Sequence, residues 1–437
     1  MKKRSAYILI SLALPLLASC SLFEEDKGPV AKGTRIALSA DPAASIAIAD
    51  ISVPALPSPN KKDSWMQVAA GPDRNSGHVS HAGGYNRQWS SSIGDGNEDG
   101  LTLVAQPVTD GTTIFALDTE SMLTATSLSN GARKWEVELA PENEEADEVS
   151  GGGLAMVGST LIASTIFGEV MSISGVDGSI NWRTNIGIPL ANNPLLLGDF
   201  VVVQALNGQA TALDLQSGTV SWVEIGAPAG PSHDRIAAAA GQGDLVVHPG
   251  IGGEFVGLRL LDGGRRFIDF PTTRRSDSVL DATTTITASP LILPDGILVA
   301  TRNGHTSLLS KDTGNRIWSL AFGLRDTPVV AGDVAFMLDS AQRLRAVSLS
   351  QGKLFWTKTM QRFEDEEDLE DPINWFGPLL VDGRLLLVSD TGLLELRDVN
   401  NGESLSRQDI EEAAMAPIFV NGLMVLLSQN GNLVAYR

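Results

Sequence analysis

Short apolar runs separated by glycine-containing turns repeat along most of the chain. In one stretch, residues 290–293 and 297–300 are apolar runs that flank the turn Pro294-Asp295-Gly296. Asn303-Gly304 makes the next turn, residues 306–309 form a third run, and a fourth follows after another glycine turn. Asn-Gly and Asp-Gly favour tight hairpins because both central residues need a positive φ. The pattern therefore predicts units of four short antiparallel strands.

A tryptophan four residues after a glycine marks the end of most units. The pairs are Gly131 and Trp135, Gly178 and Trp182, Gly218 and Trp222, Gly314 and Trp318, and Gly352 and Trp356. Gly263 with Phe267 is a conservative variant, and Gly402 with Ser406 leaves the tryptophan position vacant. Because they recur, we expect the glycine to adopt a left-handed turn and the tryptophan to pack between neighbouring units.

Prolines give the repeat its length. Five of them lie 28 residues before the tryptophan position: Pro107, Pro194, Pro290, Pro328 and Pro378. Proline is tolerated at the start of a strand, where no ladder donor is lost. Counted by first strands, the units begin at residues 107, 154, 194, 239, 290, 328, 378 and 417.

These units predict an all-β fold, an eight-bladed β-propeller of four-stranded antiparallel blades. The last unit has only three strands before Arg437, and residues 88–94 around Trp89 resemble the fourth strand of another unit. We expect this N-terminal strand to pair with the C-terminal strands, which removes open edges from the ring. Residues 64–437 would then be one domain. Trp65 is expected to pack the incoming chain, and Trp375 to cap a loop or anchor a surface contact.

The N-terminus has the pattern of a secretion signal. A basic start precedes an apolar run at residues 7–17, which is too short to span a bilayer. Leu17-Ala18-Ser19-Cys20 resembles the bacterial lipobox, whose cysteine is diacylated, and Cys20 is the single cysteine. We expect residues 1–19 to be a lipoprotein signal peptide, with an ordinary signal peptide as the alternative.

A lipidated flexible tether is expected over residues 20–63, where prolines interrupt any periodicity. The residue after the cysteine, Ser21, is not the aspartate that in lipoproteins tends to signal inner-membrane retention. Outer-membrane anchoring at the periplasmic face is therefore expected.

Composition narrows the function classes. The chain has 437 residues, 43% of them hydrophobic, so it can bury a large core. Its 52 acidic and 32 basic residues give a formal charge of -20, which argues against nucleic acid as a partner. Forty-four glycines with one cysteine suit many tight turns without a disulfide framework.

Residues 212–222, with Asp214, Ser217-Gly218 and Trp222, resemble the tryptophan-docking repeat of quinoprotein (PQQ) propellers. Two eight-bladed families carry this repeat, the PQQ-dependent alcohol dehydrogenases and the BamB family. Lipobox, tether, length and blade count are similar to the BamB family. The resemblance implies a non-catalytic scaffold without a cofactor in the outer-membrane (BAM) assembly complex. Its partners would be the POTRA domains of BamA, other BAM components and unfolded barrel clients that add strands to exposed blade edges.

The resemblance also implies where such a partner would bind. Members of the family dock through loops before the third and fourth inner strands, and blade counting places the corresponding residues at Ile188, Leu190, Asn192, Asp234, Arg235 and Ile236. The first loop lacks the arginine of the family pattern. Residues 237–240 are alanines where acids would be expected, and residues 277–281 could substitute.

Other interpretations of the sequence stay open. A PQQ-dependent alcohol dehydrogenase, the other family that this repeat resembles, would need an adjacent cysteine pair and calcium ligands. The single Cys20 cannot form that pair. A lipoprotein propeller that binds a polysaccharide or peptide in its central funnel is a competing function. His78 and His81 are interpreted as part of a solvated loop rather than a metal site. The acidic runs at residues 142–148 and 364–371 are interpreted as solvated loops, or as contacts for a basic partner or a divalent ion.

Overall fold

The computed structural model describes residues 46, 48, 52–98, 100–142, 144, 150–190, 192–226, 237–270 and 286–437. These residues form eight antiparallel sheets of four strands, one of which gains a short parallel fifth strand, and one separate hairpin. The predicted eight-bladed propeller is confirmed. The described part of the chain contains only a short 3-10 turn, Val68–Ala70, as helix, and no helix there is long and apolar enough to cross a bilayer.

The blades follow one another in chain order, and the strands of each run from innermost to outermost. Blade 1 is Val108–Thr109, Thr113–Leu117, Met122–Ser127 and Arg133–Glu138. Blade 2 is Gly152–Val157, Thr160–Thr165, Glu169–Ser174 and Ile180–Asn185. Blade 3 is Leu195–Leu197, Phe200–Gln204, Ala210–Asp214 and Val220–Glu224. Blade 4 is Ala240–Gln242, Leu245–Pro249, Phe255–Arg259 and Arg265–Asp269.

The second half of the ring has the same plan. Blade 5 is Leu291–Leu293, Gly296–Ala300, Thr306–Leu309 and Arg316–Leu320. Blade 6 is Val329–Ala331, Val334–Leu338, Arg343–Ser348 and Lys353–Thr359. Blade 7 is Trp375–Val381, Arg384–Ser389, Leu393–Asp398 and Ser404–Asp409, with His78–Val79 added in parallel to its inner strand. Blade 8 is Ile418–Val420, Leu423–Leu427, Asn432–Tyr436 and Arg87–Ser92. The separate hairpin is Phe363–Asp365 with Glu370–Pro372.

Burial explains the composition of the strands. The inner three strands of blade 5 are buried at every position and almost wholly apolar. The outermost strand of blade 1 alternates instead, with Trp135 and Val137 turned inward between exposed charged residues. A strand packed on both faces has a continuous apolar run, whereas an outer strand with one wet face alternates.

Two predicted strand starts need correction, and the first is that of blade 2, which begins at Gly152 rather than at residue 154. Pro378 does not open the inner strand of blade 7, which begins at Trp375. The pairing register shifts between Phe376 and Leu379, so the proline lies at an irregularity inside the strand. Such a site also tolerates a residue without an N–H, because the ladder is already interrupted there.

The tryptophan and glycine roles are confirmed, and each tryptophan docks on the glycine of the following blade. Gly218 of blade 3 has φ +71, and a Cβ built on it would lie 2.5 Å from the ring of Trp182 in blade 2. The Trp182 indole donates to the carbonyl of Leu215, 3.1 Å away in blade 3. Five further tryptophans make the same bond to the next blade: Trp89, Trp135, Trp222, Trp318 and Trp356. Phe267 packs on Gly314 in the same way, without the hydrogen bond.

The two ends of the chain meet in blade 8. Trp89 pairs with Ala435, and Ser92 pairs with Asn432, in an antiparallel ladder. The predicted closure of the ring by the strand around Trp89 is therefore confirmed. Pairing the first blade strand with the last seals the one place where the ring would otherwise be open.

An N-terminal segment that the sequence did not predict lines the inside of the ring. We call residues 62–82 the inner belt, because this segment bonds to the inner strand of every blade in turn. It starts at blade 8, where Asn421 N donates to Lys62 O, and it returns there, where Ala82 N donates to Gly422 O. Between these points it visits blades 1 to 7 in order. Its partners there are Thr109, Met156, Leu196, Gly241, Ile292, Val330 and Leu380.

Side chains complete the belt where its backbone cannot pair. The amide of Gln67 both accepts from and donates to the backbone of Leu196, at 3.0 Å in each direction. Asn75 does the same with Val330, at 3.1 and 3.2 Å. Trp65 packs this incoming segment on the ring: its side chain is 1% exposed in the apolar core, and its backbone pairs with Thr109 in blade 1.

We predict that Gly218→Ala destabilises the ring by roughly 3 kcal/mol, because it adds a left-handed-region penalty to a clash with Trp182. Gly243→Ala is the matched control: Gly243 has φ +61 but nothing within 4 Å of its built Cβ. The control should cost only about 1–2 kcal/mol. Urea unfolding of both variants measures the difference, and equal losses would contradict interblade docking as the reason for the glycine.

Candidate partner-binding face

The ring has two faces with different connections. The first-to-second and third-to-fourth strand turns lie on one side, which we call the turn face. The blade-to-blade connections begin and end on the other side, the loop face. They range from residues 321–328 between blades 5 and 6 to residues 270–290 between blades 4 and 5, of which 271–285 lie outside the described residues. The inner belt bonds to the turn-face half of the inner strands. The connections of variable length therefore lie on the face away from the belt. Variable connections on a rigid scaffold are where binding specificity is normally built.

The first predicted contact loop connects blades 2 and 3. Ile188 lies on it half-buried. Leu190 is 1% exposed, bridges to Ala205 and packs in the cluster shared by the two blades. Asn192 is also buried, and its amide donates to Gln204 Oε1 and Ala237 O, both at 3.1 Å. Leu190 and Asn192 therefore hold the connection in place, and Ile188 is the one of the three with a surface to offer a partner.

The second predicted loop falls mostly outside the described residues. The predicted contact residues outside the described part of the chain are Asp234, Arg235 and Ile236. Residues 277–281 and Cys20 also lie outside it. The alanines that follow are described, and Ala237 to Ala240 are all buried at or beside the start of blade 4's inner strand. Small side chains are required there because inner strands crowd together near the axis.

The acidic run between blades 6 and 7 is a hairpin rather than an irregular loop. Phe363 pairs with Pro372, and Asp365 pairs with Glu370. The Asp365 carboxylate accepts from the backbone N–H groups of Glu367 and Asp368 at the tip, at 2.9 and 3.0 Å. Its acidic side chains point into solvent on the loop face. Of the other acidic run, only Glu142 and Glu144 lie among the described residues.

Trp375 fixes the base of this acidic hairpin from inside the fold. Its side chain is fully buried, and its indole donates to the Gln361 carbonyl at 2.7 Å. Arg407 from the outer strand of blade 7 lies 5.8 Å from its ring centroid. The prediction of a loop cap fits this contact, whereas the alternative of a surface anchor is wrong.

The histidine pair is also more ordered than predicted. His78 lies in the short strand on blade 7, where Nε2 accepts from Gly383 N at 2.7 Å and Nδ1 lies 2.5 Å from Pro57 O. Both ring nitrogens are therefore engaged. His81 stacks on Tyr85 with ring centroids 4.7 Å apart. The described part of the chain brings no group of three or more His, Cys, Asp or Glu residues together that could hold a metal ion.

The central funnel narrows to a small cavity of about 80 Å³ that the inner belt closes on the turn side. Trp65, Val68 and Ala69 of the belt form part of its wall. Ligand pockets usually measure ~300–1,000 Å³. A polysaccharide or a peptide segment is therefore too large for this cavity.

The floor of the funnel contains a buried cation. The Arg74 guanidinium is fully buried, and Nε donates to the Ala239 carbonyl at 2.8 Å. Burial lowers the pKa of Arg74 to about 9, although Asp73 opposes the shift. The guanidinium thus serves the fold by satisfying inner-strand carbonyls near the axis.

A buried histidine lies near the interface of blades 3 and 4. His248 is fully buried, and its Nε2 lies 3.1 Å from the Gly208 carbonyl. Burial lowers the pKa of His248, while the hydrogen bond to Gly208 and the charge of Glu224 oppose the shift. The imidazole is therefore neutral in the folded protein at neutral pH.

The family of this chain follows from its sequence similarity to known proteins. A family model described as outer membrane protein assembly factor BamB matches residues 147–358 and 279–437, more than half of the chain. The chain belongs to the BamB family. An outer membrane protein assembly factor BamB from Yersinia pestis is 20% identical over 355 residues, which cover 80% of this chain and 88% of that protein.

Solved structures share the BamB-like fold. BamB from Moraxella catarrhalis superimposes with a TM-score of 0.66 at 15% identity, covering 81% of this chain and all of that one. A quinohemoprotein alcohol dehydrogenase from Comamonas testosteroni gives a TM-score of 0.64 at 13% identity, over 86% and 81% of the two chains. The propeller is therefore common to assembly factors and quinone enzymes, and fold alone does not decide between them.

The centre of this BamB-family ring does not fit a quinone with its metal ion. Asp326 is the one carboxylate among the described residues that line the cavity, and its oxygens already accept from Gly377 N and Thr327 N. The single cysteine of the sequence, Cys20, cannot supply an adjacent pair. The cavity of about 80 Å³ is also far below the usual size of a cofactor site.

We predict that the stability of the wild type falls as pH drops below about 6.5, because the unfolded state then binds a proton at His248 that the folded state excludes. This contribution is complete above that pH. His248→Gln retains an amide donor for Gly208 without a titrating ring. The free energy of unfolding of this variant should therefore change less steeply with pH, by up to about 1.4 kcal/mol per pH unit. Guanidinium unfolding at pH 7 and pH 5 measures both slopes, and parallel slopes would refute the assignment.

Proposed function

We propose that this chain is a non-catalytic scaffold lipoprotein in the machinery that assembles β-barrel proteins in the outer membrane. Its membership of the BamB family supports this, as do curated relatives named as outer membrane protein assembly factors. The role needs a rigid body that holds other proteins in place. A ring sealed by its two termini and bonded from within by a belt provides that rigidity.

The loop face is the surface that we assign to the POTRA domains of BamA. The observation that carries this assignment is the belt, because it occupies the turn-face half of the inner strands and leaves the loop face uncovered by the described N-terminal chain. Ile188 and residues 234–236 would contribute to the contact from neighbouring connections. The acidic hairpin at residues 363–372 lies on the same face and would meet a basic partner surface.

Clients would bind elsewhere on the ring. The outermost strands of the blades have one unpaired edge, which can accept a further strand from an extended chain. Exposed apolar side chains concentrate on the outer strands of blades 3 and 4 or directly after them, at Val223, Ile225, Ile268 and Phe270. We assign unfolded barrel segments to these edges, since such segments carry apolar residues at alternate positions.

The lipid anchor would be Cys20, followed by a tether. Residues 52–60 already lie against the ring, with Val53 and Leu56 packed on the cluster of blades 6 and 7. Further upstream, Ile46 packs on the cluster of blades 5 and 6, and Ile48 bridges to Leu354. The free part of the tether would therefore end before residue 46. More than one acyl chain gives stable membrane anchoring, which would keep the ring at the periplasmic face of the outer membrane.

Cys20→Ser should move the protein from the outer-membrane fraction to the soluble periplasmic fraction, because the acyl acceptor is lost. Fractionation followed by immunoblotting measures this. Ser21→Ala is the control and should stay in the membrane fraction. Membrane retention of Cys20→Ser would contradict the anchor.

We expect a pull-down of the full lipidated chain from solubilised outer membranes to recover BamA. Ile188→Asp should reduce the recovery at least tenfold, because a charge would be buried in the contact. Leu405→Asp is the matched control, since Leu405 is an exposed apolar residue on the outer strand of blade 7. Failure to recover BamA would overturn the proposed function, and equal recovery with Ile188→Asp would overturn the assigned contact.

A further inference from the structure

A groove opens on the turn face between blades 2 and 3. Its inner part has a volume of about 260 Å³ and is lined by apolar residues of the belt and the blades, among them Met66, Pro72, Val157 and Leu215. It continues outward between the blades into a shallower part of about 620 Å³, which shares Val157 and Leu215. The groove lies on the face opposite the proposed BamA contact.

The same position between blades 6 and 7 is already filled by the chain itself. Val53 and Leu56 pack there on the apolar cluster that the two blades share. Pro57 Cδ lies 3.7 Å from the Cβ position of Gly332, in the first turn of blade 6. The filling segment contains neither helix nor strand and is rich in proline, with the sequence Ser52-Val53-Pro54-Ala55-Leu56-Pro57.

The two positions correspond through the repeat of the ring. Trp182 donates to Leu215 across blades 2 and 3, as Trp356 donates to Val399 across blades 6 and 7. Val157 and Ala331 both end an inner strand and both precede a turn glycine, Gly158 and Gly332. Residues that meet the segment at blades 6 and 7 therefore have named counterparts at blades 2 and 3.

Exposure distinguishes the filled position from the open one. Ala331 is 6% exposed, whereas its counterpart Val157 is 44% exposed. Val399 is buried, while Leu215 is only half-buried. Nothing lies within 4 Å of the Cβ position of Gly158. The groove between blades 2 and 3 thus presents apolar surface that its counterpart has covered.

We propose that this groove binds an extended, proline-containing segment of another polypeptide, with two apolar side chains spaced as in Val53 and Leu56. Proline-rich segments are pre-organised in an extended conformation and lose little entropy on binding. The chain's own residues 52–57 show that such a segment suits this kind of position on the ring.

Polar groups at the outer end of the groove set a charge preference. Asp199 and Asp214 both line it. The Asp214 carboxylate is fixed as an acceptor by Ser217, whose N–H and hydroxyl donate to it at 2.8 and 2.7 Å. A segment that is neutral or basic at this end would bind, and an acidic one would be repelled.

A labelled peptide of residues 52–60 tests the proposal on the full mature chain. Fluorescence anisotropy should show saturable binding, weakened at least tenfold by Val157→Asp. Val176→Asp is the matched control, because Val176 lies on the same blade and is 76% exposed but does not line the groove. The control should bind as the wild type does.

Two further measurements keep the test valid even if Val157→Asp misfolds. The peptide with Leu56→Asp should lose binding to the unchanged wild-type protein, and Leu215→Asp provides a second variant of the groove. The absence of saturable binding would overturn the proposal, as would binding that neither groove variant nor Leu56→Asp weakens. Neither result bears on BamA recovery, so the proposed function would stand or fall separately.

Discussion

At every interface between blades except one, an aromatic side chain of one blade packs on a turn glycine of the next. The fold depends on that contact. The exception lies between blades 7 and 8, where Ser406 takes the tryptophan position. Blade 8 has no turn between its third and fourth strands, because these strands come from opposite ends of the chain. There is consequently no turn glycine on which an aromatic ring could dock. This interface has the buried apolar cluster that blades 7 and 8 share. At its outer edge polar contacts are added, such as Arg87 with Glu411 at 2.8 Å and Gln408 with the Tyr85 carbonyl at 2.6 Å.

The propeller could be predicted from the sequence because its signals are local and repeated. Glycine, tryptophan and proline occupy fixed offsets within each unit, so eight copies reinforce one another. The belt could not be predicted in this way. It has no periodicity, and its bonds join Gln67, Arg74 and Asn75 to blades more than a hundred residues away. Its part around His78 and His81 has the composition of a solvated loop.

The candidate contact residues show a second limit of sequence reasoning. Blade counting placed Ile188, Leu190 and Asn192 in the correct connection, but it could not show which side chains point outward. Leu190 is in the core, and Asn192 joins two blades through its amide. The open groove was missed for a related reason. Val157 and Ala331 have the same place in the repeat, yet Val157 is exposed whereas Ala331 is buried where residues 53–57 pack on the ring.

The belt also constrains the order in which the molecule can form. Residues 62–82 precede all eight blades in the chain, yet they bond to the inner strand of each, including Asn421 and Gly422 near the C-terminus. During synthesis or export from the N-terminus these residues emerge first, and their last partners emerge at the end. Contacts between such distant parts of a chain form slowly. Its bonds to Asn421 and Gly422 must therefore wait until the final blade has arrived, so the belt cannot be complete before the whole ring is present.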